Sequence, residues 1–213
     1  MYVPHPSREL NDLFARKPYQ GAVPHQADFL YVGLDANYDE KIETTPAFSK
    51  ILEYHSDGVA FWRKYGVHHP FLLPGYSGDG RRYHQSFARI GFTPAQAGLV
   101  CFVELLHVPT VGRNILVPGD LVPDHLKWLE AVIRQGPARH IFIPDKVARL
   151  MRATRLFSWL PRAPDRTFGS LGTWFQQGSK TVYSHLHFSV YGKFEHRKAS
   201  ELVAMRSLLS AIG

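Results

Sequence analysis

Asp28-Phe29-Leu30-Tyr31-Val32-Gly33-Leu34-Asp35-Ala36-Asn37-Tyr38-Asp39 begins as an apolar run and breaks at a glycine into polar residues. Such a run fits a strand buried on both faces, as in a parallel sheet. In open α/β sheets ligands bind beyond the carboxyl ends of the strands. A glycine at that place lets the backbone approach a ligand, so Asp35, Asn37 and Tyr38 read as a first-strand active-site loop. The competing reading is an ordinary turn at Gly33 and Asn37.

The chain on either side supplies the partners of that strand. Apolar runs at 98–104, His140-Ile141-Phe142-Ile143 and Lys180-Thr181-Val182-Tyr183-Ser184 read as further strands. Helical spacing of apolar residues places helices over 44–54, 59–65, 82–91, 121–133, 146–154 and 199–212, with Ser56-Asp57-Gly58 able to close one helix and cap the next and Asp145 as a further candidate cap. This β-α-β-α rhythm predicts an α/β fold, a three-layer α/β/α sandwich around a central, mostly parallel four-stranded sheet. One domain spans 1–213: an extension at 1–27 to which no chemistry is assigned, a core at 28–195 and a closing helix at 196–213. Residues 155–179, rich in Pro, Gly and Arg, read as a basic loop.

Composition narrows the partners. Lys and Arg total 25 against 18 acids, a net charge of +7. Between Arg134 and Lys198 twelve basic residues face only Asp145, Asp165 and Glu195, which favours a polyanion. Cys101 is the only cysteine, so the chain has no internal disulfide, cysteine-held cluster or thiolate zinc site, and a cytoplasmic setting follows. No apolar stretch approaches the roughly 18 residues of a membrane span. The adjacent His68 and His69 point in different directions and have no acidic neighbour at ligand spacing, so no metal and no cofactor are expected.

Three motifs carry a resemblance. Gly33-Leu34-Asp35-Ala36-Asn37-Tyr38 is similar to the first motif of the uracil-DNA glycosylase superfamily, Gly-x-Asp-Pro-Tyr or Gly-x-Asn-Pro-Gly, with Ala36 in place of Pro. The stretch 98–114, with Glu104, Pro109-Thr110-Val111 and Asn114, resembles the second strand end of the mismatch-specific branch, as does the helix 82–93 with its closing Gly-Phe-Thr. Residues 185–194 resemble the family's last motif, a His-Pro-Ser segment followed by an apolar wedge. Ser189-Val190-Tyr191 and Phe194 match, Pro is absent, and His185 matches across a one-residue gap with His187 as its competitor. The chain thus resembles a divergent member near the mismatch-specific and classical uracil branches.

The resemblance implies a monomeric, metal-independent DNA-repair enzyme acting on uracil-containing DNA. It flips the base out and hydrolyses the N-glycosidic bond to leave an abasic site. It implies that Asp35 stabilises the sugar cation and orients water, and that His185 or His187 donates to the uracil oxygen. Leu34, Asn37, Tyr38, Phe71 and Glu104 would bind the base: Phe71 by stacking, Asn37 or Tyr38 by excluding a methyl group, Glu104 where the classical enzymes place an Asn. Phe188 or Tyr191 would fill the gap in the duplex, and Ser189, Lys193, Arg197 and Lys198 would contact DNA. For Glu104 the alternative is an ion pair with an arginine. For the whole chain the alternatives are a noncatalytic nucleic-acid-binding protein on the same fold or a histidine-rich metal-dependent hydrolase.

Overall fold

The structure, a computed structural model, describes residues 2–112 and 115–210. Asn114 of the second motif and the end of the expected closing helix, 211–213, lie outside them.

The strands are β1 (Val3–Pro4), β2 (Tyr19–Gly21), β3 (Phe29–Gly33), β4 (Val100–Glu104), β5 (Thr110–Val111), β6 (His140–Pro144), β7 (Arg166–Phe168), β8 (Leu171–Gln177) and β9 (Lys180–His185). The helices are α1 (Arg8–Arg16), α2 (Phe48–Ser56), α3 (Gly58–Tyr65), α4 (Arg81–Ala88), α5 (Pro123–Gln135), α6 (Asp145–Ala153) and α7 (Glu195–Leu209). The expected four strands are present as a parallel core in the order β4-β3-β6-β9. The sheet itself has seven strands, not four: antiparallel β2 borders β4, and antiparallel β8 and β7 extend it beyond β9.

The added strands come from segments read as extension and loop. A register shift between Thr173 and Phe175 breaks the period-two alternation of β8 in mid-strand, which hides the signal that marks a strand. Gly169 and Gly178, at φ 55° and 58°, form the turns that join β8 to β7 and β9. A Gly- and Arg-rich stretch is therefore a hairpin closing one side of the sheet.

Alternation along the core strands sorts side chains onto two faces. Leu30, Val32, Cys101, Val103, Ile141, Ile143 and Val182 form an aliphatic face against α5 and α6, through Leu126, Leu129, Ile133, Val147 and Met151. Phe29, Tyr31, Phe102, Phe142 and Tyr183 form an aromatic face against α3, α4 and α7, through Trp62, Phe87, Leu202 and Met205. Helices thus cover both faces of the sheet. Across the aromatic face Tyr31 stacks on Phe142 (4.7 Å, 11°) and on Phe102 (5.6 Å, 29°), and Phe142 on Tyr183 (5.1 Å, 20°). Each such contact contributes about 0.5–1.5 kcal/mol beyond its buried area. At the amino ends of the strands, Arg139 grips Asp28 with two 2.6 Å hydrogen bonds, fixing β3 beside β6.

Capping follows the sequence at one helix and departs from it at another. Asp57 accepts from Ala60 N–H at 2.9 Å and starts α3. Asp145 makes no capping bond, because its carboxylate is taken by the hydroxyl of Ser184 on β9. No helix among the described residues is long and apolar enough to cross a membrane.

Candidate active site

Beyond their carboxyl ends β3 and β4 stay zipped together. Leu105, Leu106 and Thr110 N–H donate to the carbonyls of Gly33, Leu34 and Ala36 at 2.9–3.0 Å, and Tyr38 N–H donates to Thr110 O at 3.0 Å. A loop held by four backbone bonds places its side chains as firmly as a strand does. It presents Asp35, whose Oδ2 accepts from the Thr110 hydroxyl at 2.5 Å. The Asn37 amide donates to Thr110 Oγ1 at 3.1 Å and to Gly112 O at 2.6 Å. Asn37, expected at the base, lines the cavity but spends its N–H groups on Thr110 and Gly112.

The cavity at this point has a volume of about 170 Å³, below the roughly 300–1,000 Å³ of drug-sized pockets and suited to a small planar ligand. Its wall includes Leu34, Asp35, Tyr38, Phe71, Glu104 and His187. The parallel register sets Gly33 opposite Glu104, and a Cβ on Gly33 would lie 2.0 Å from Glu104 Oε2. Only glycine leaves room for that carboxyl.

Among the described residues Glu104 has no arginine partner. Its Oε2 is buried without a hydrogen bond, and it makes no ion pair among the described residues. Burial first, and the nearby Asp35 charge second, push its pKa well above the usual carboxylate range. This favours the protonated carboxylic acid, the form that donates one hydrogen bond and accepts others.

The two histidines of the last motif part company. His185 continues the period of β9, so it falls on the same face as Tyr183. Its ring is buried against Phe142 and Phe188, and its Nδ1–H donates to Leu186 O at 2.7 Å. Burial lowers its pKa to about 3, and it does not line the cavity. His187, past the strand end, does. Ser189 N–H donates to His187 Nδ1 at 3.3 Å, which leaves the proton of the neutral ring on Nε2. Burial lowers the His187 pKa, Asp35 partly offsetting it and Lys146 adding to it, so the ring is a neutral donor at pH 7.

The remaining wall was largely illegible in the sequence. Phe71 is buried and lines the cavity as expected, with Tyr76 stacked on it at 4.1 Å. Tyr38 is buried edge-on to Phe71 at 5.9 Å, and its hydroxyl accepts from Gln20 Nε2 at 3.1 Å. Gln20 comes from β2, in the segment given no chemistry. Tyr83, His69 and His84 also line the cavity. His69 and His84 stack at 3.5 Å, and His68 Nε2 lies 3.1 Å from His84 Nδ1. Burial holds all three well below the ordinary histidine pKa. Two histidines in a long loop followed by one on the next helix were the available signal. Among the described residues no group of three or more His, Cys, Asp or Glu side chains could hold a metal ion.

The residues expected at DNA divide by burial. Phe188 is a core residue, packed on Tyr31, Tyr83 and His185, and cannot enter a duplex. Tyr191 is 67% exposed, with the Arg82 guanidinium 4.5 Å over its ring. Lys198 is only 2% exposed: its ammonium donates to Val190 O at 2.6 Å and Glu195 Oε1 at 2.8 Å, so it braces the loop and does not face solvent. Arg197 is tied to Glu201 at 2.8 Å. Lys193 and Ser189 are exposed.

No protein-family model matches this chain, and no curated protein matches it.

Proposed function

We propose that the chain is a monomeric, metal-independent DNA glycosylase that removes uracil from DNA. The observation that carries this reading is the convergence of Asp35, Glu104, its carboxyl buried beside Asp35, and His187 on one small cavity at the strand ends. When the bond from the sugar to N1 breaks, its electrons leave with the base and the sugar becomes cationic. Asp35, anchored by Thr110, stabilises the cation and directs the water, whose oxygen joins C1′ while the proton it sheds passes to Asp35 and then to the uracil anion. His187 Nε2–H donates to the uracil oxygen as negative charge grows there. Glu104 accepts from N3–H and donates to O4. Tyr191 enters the space left by the base, at the few kcal/mol that unstacking costs.

The test is a labelled uracil oligonucleotide incubated with the protein in EDTA and then treated with alkali. Strand scission is expected. Binding without scission would identify a noncatalytic nucleic-acid-binding protein, and scission only after a metal is added would identify a metal-dependent hydrolase.

Two results follow from the Gly33–Glu104 contact. Gly33→Ala should drive the Glu104 carboxyl out of place and cut kcat/KM for uracil excision at least about tenfold, ~1.4 kcal/mol. An unchanged kcat/KM would mean that Glu104 does not touch the base. Glu104→Gln should keep uracil excision within about tenfold, because the amide also donates and accepts. It should change the ranking of uracil, hypoxanthine and xanthine, since a carboxylic acid can exchange its donor and acceptor oxygens and an amide cannot.

Stability gives a second readout for that variant. The raised Glu104 pKa means that the folded state keeps a proton which the unfolded state loses once pH exceeds about 4.5. That proton's contribution is complete below the unfolded pKa and declines as pH rises toward the folded one. The Tm of Glu104→Gln should therefore gain on wild type as pH rises above about 4.5, and parallel Tm curves would show that the Glu104 pKa is not raised.

A further inference from the structure

A second cleft, of about 680 Å³, opens at the carboxyl ends of β6 and β9. Asp145 directly follows β6 and Ser184 lies next to the last residue of β9, so this cleft shares the sheet end that holds the cavity. Three separate elements bring arginines to it: Arg149 and Arg152 from α6, Arg162 and Arg166 from the hairpin side, and Arg197 from α7. Asp145 and Asp165 line the cleft with them; the Asp145 carboxylate is already engaged by the Ser184 hydroxyl, and Arg197 is paired with Glu201 at 2.8 Å.

Arg149, Arg162 and Arg166 are exposed and make no ion pair among the described residues. Arg152 is held in place, its guanidinium 5.1 Å over Trp174 and its Nη1 donating to Pro161 O at 2.7 Å. Burial lowers its pKa, and the charges of Arg149 and Arg162 lower it further against the opposing effect of Asp145. Guanidinium groups gathered this way repel one another until an anion with several oxygens is shared among them, and their planar forks match phosphate oxygens. The only aromatic ring lining the cleft, Trp174, is 4% exposed and covered by Arg152. It offers bases no stacking surface, so the cleft suits phosphates without regard to sequence.

The path between the two sites runs along the first turns of α6. Lys146 is close enough to His187 to affect its titration, and Arg149, three residues on, already lines the cleft. We infer that the arginine cleft is a second binding site, which holds phosphodiester groups of the strand that delivers its flipped base to the cavity. This rests on the proposed action on DNA. It adds that a strand is gripped at a distance from the reacting nucleotide by residues of the β7–β8 hairpin side, α6 and α7.

The test uses fluorescence anisotropy with a labelled, uracil-free oligonucleotide of about 20 nucleotides over a range of salt concentrations. Neutralising Arg149 and Arg162 together (Arg149→Gln with Arg162→Gln) should raise Kd about tenfold and reduce the slope of log K against log salt by about 1.4–1.8, for two lost contacts at ~0.7–0.9 each. Both side chains are exposed, so Tm should not move. The same change at Arg8 and Arg63, outside the cleft, should leave the slope near wild type. An equal loss at that control pair, or no loss at the cleft pair, overturns the proposal. So does displacement of the DNA by inorganic phosphate beyond the effect of chloride at equal ionic strength, which would mark a compact anion pocket in place of a strand site. Because the probe contains no uracil, the result is separate from excision: a protein that binds with the expected slope and removes no base keeps the cleft and loses the proposed reaction.

Discussion

His187→Ala should lower kcat for uracil excision by about 100- to 1,000-fold, ~2.7–4 kcal/mol, which is the usual loss when one preorganised donor to a developing oxyanion is removed. The ring lines the cavity with its Nδ1 occupied by Ser189 N–H, so the available proton is on Nε2 and no reorganisation is needed as charge appears on the base. Because the interaction strengthens only in the transition state, KM should change little. His187→Gln, whose amide can donate from a similar position, should recover part of the loss. His185→Ala is the informative comparison. It opens a hole between Phe142 and Phe188 and should lower Tm, yet leave the kcat of the folded fraction within a few-fold of wild type. The reverse pattern, with His185 essential and His187 dispensable, would remove His187 from the mechanism.

Asp35→Asn should reduce excision at least about 100-fold, or ~2.7 kcal/mol. The substitution is close to isosteric, and the Asn oxygen can still accept from Thr110, whose hydroxyl bonds Asp35 Oδ2 in the native protein. The loop should keep its shape, since backbone bonds hold it at Gly33, Leu34, Ala36 and Tyr38. What disappears is the negative charge beside the sugar cation. Binding of uracil DNA should change by less than about threefold, while single-turnover excision, read by alkaline cleavage on a gel, should collapse. Turnover within threefold of wild type would leave Asp35 without a chemical role. A Thr110→Val variant should lose less than Asp35→Asn, because it removes one hydrogen bond to Asp35 without removing its charge.

The parallel core was legible because its strands announce themselves locally. Phe29–Gly33, Val100–Glu104, His140–Pro144 and Lys180–His185 are short apolar runs bounded by breakers, and each became a strand within a residue or two of its expected limits. The first-strand loop with Asp35 was legible for the same reason, since an apolar strand ending in glycine fixes where its loop begins. The outer strands were not. β2 is three residues long and follows Pro18, and β8 carries a register shift, so neither shows the alternation from which a strand is read.

For the site, the sequence and the resemblance it carries placed Asp35, Glu104 and a histidine at strand ends and Phe71 in a loop beside them. Tertiary structure decided what state and direction each has. Which histidine reaches the cavity depends on where β9 stops: one step of its period turns His185 into the aromatic face, and only the residue beyond the strand end is free to turn back. Lys198 and Phe188 look like surface ligands in the sequence and are withdrawn from solvent by the packing of α7 and the loop before it. The protonation of Glu104 depends on facing Gly33 across a parallel register and on Asp35 nearby. Those neighbours are about seventy residues away in the chain. A pKa is set by what surrounds a group in space, and spacing along the chain carries no record of that until the strands are laid side by side.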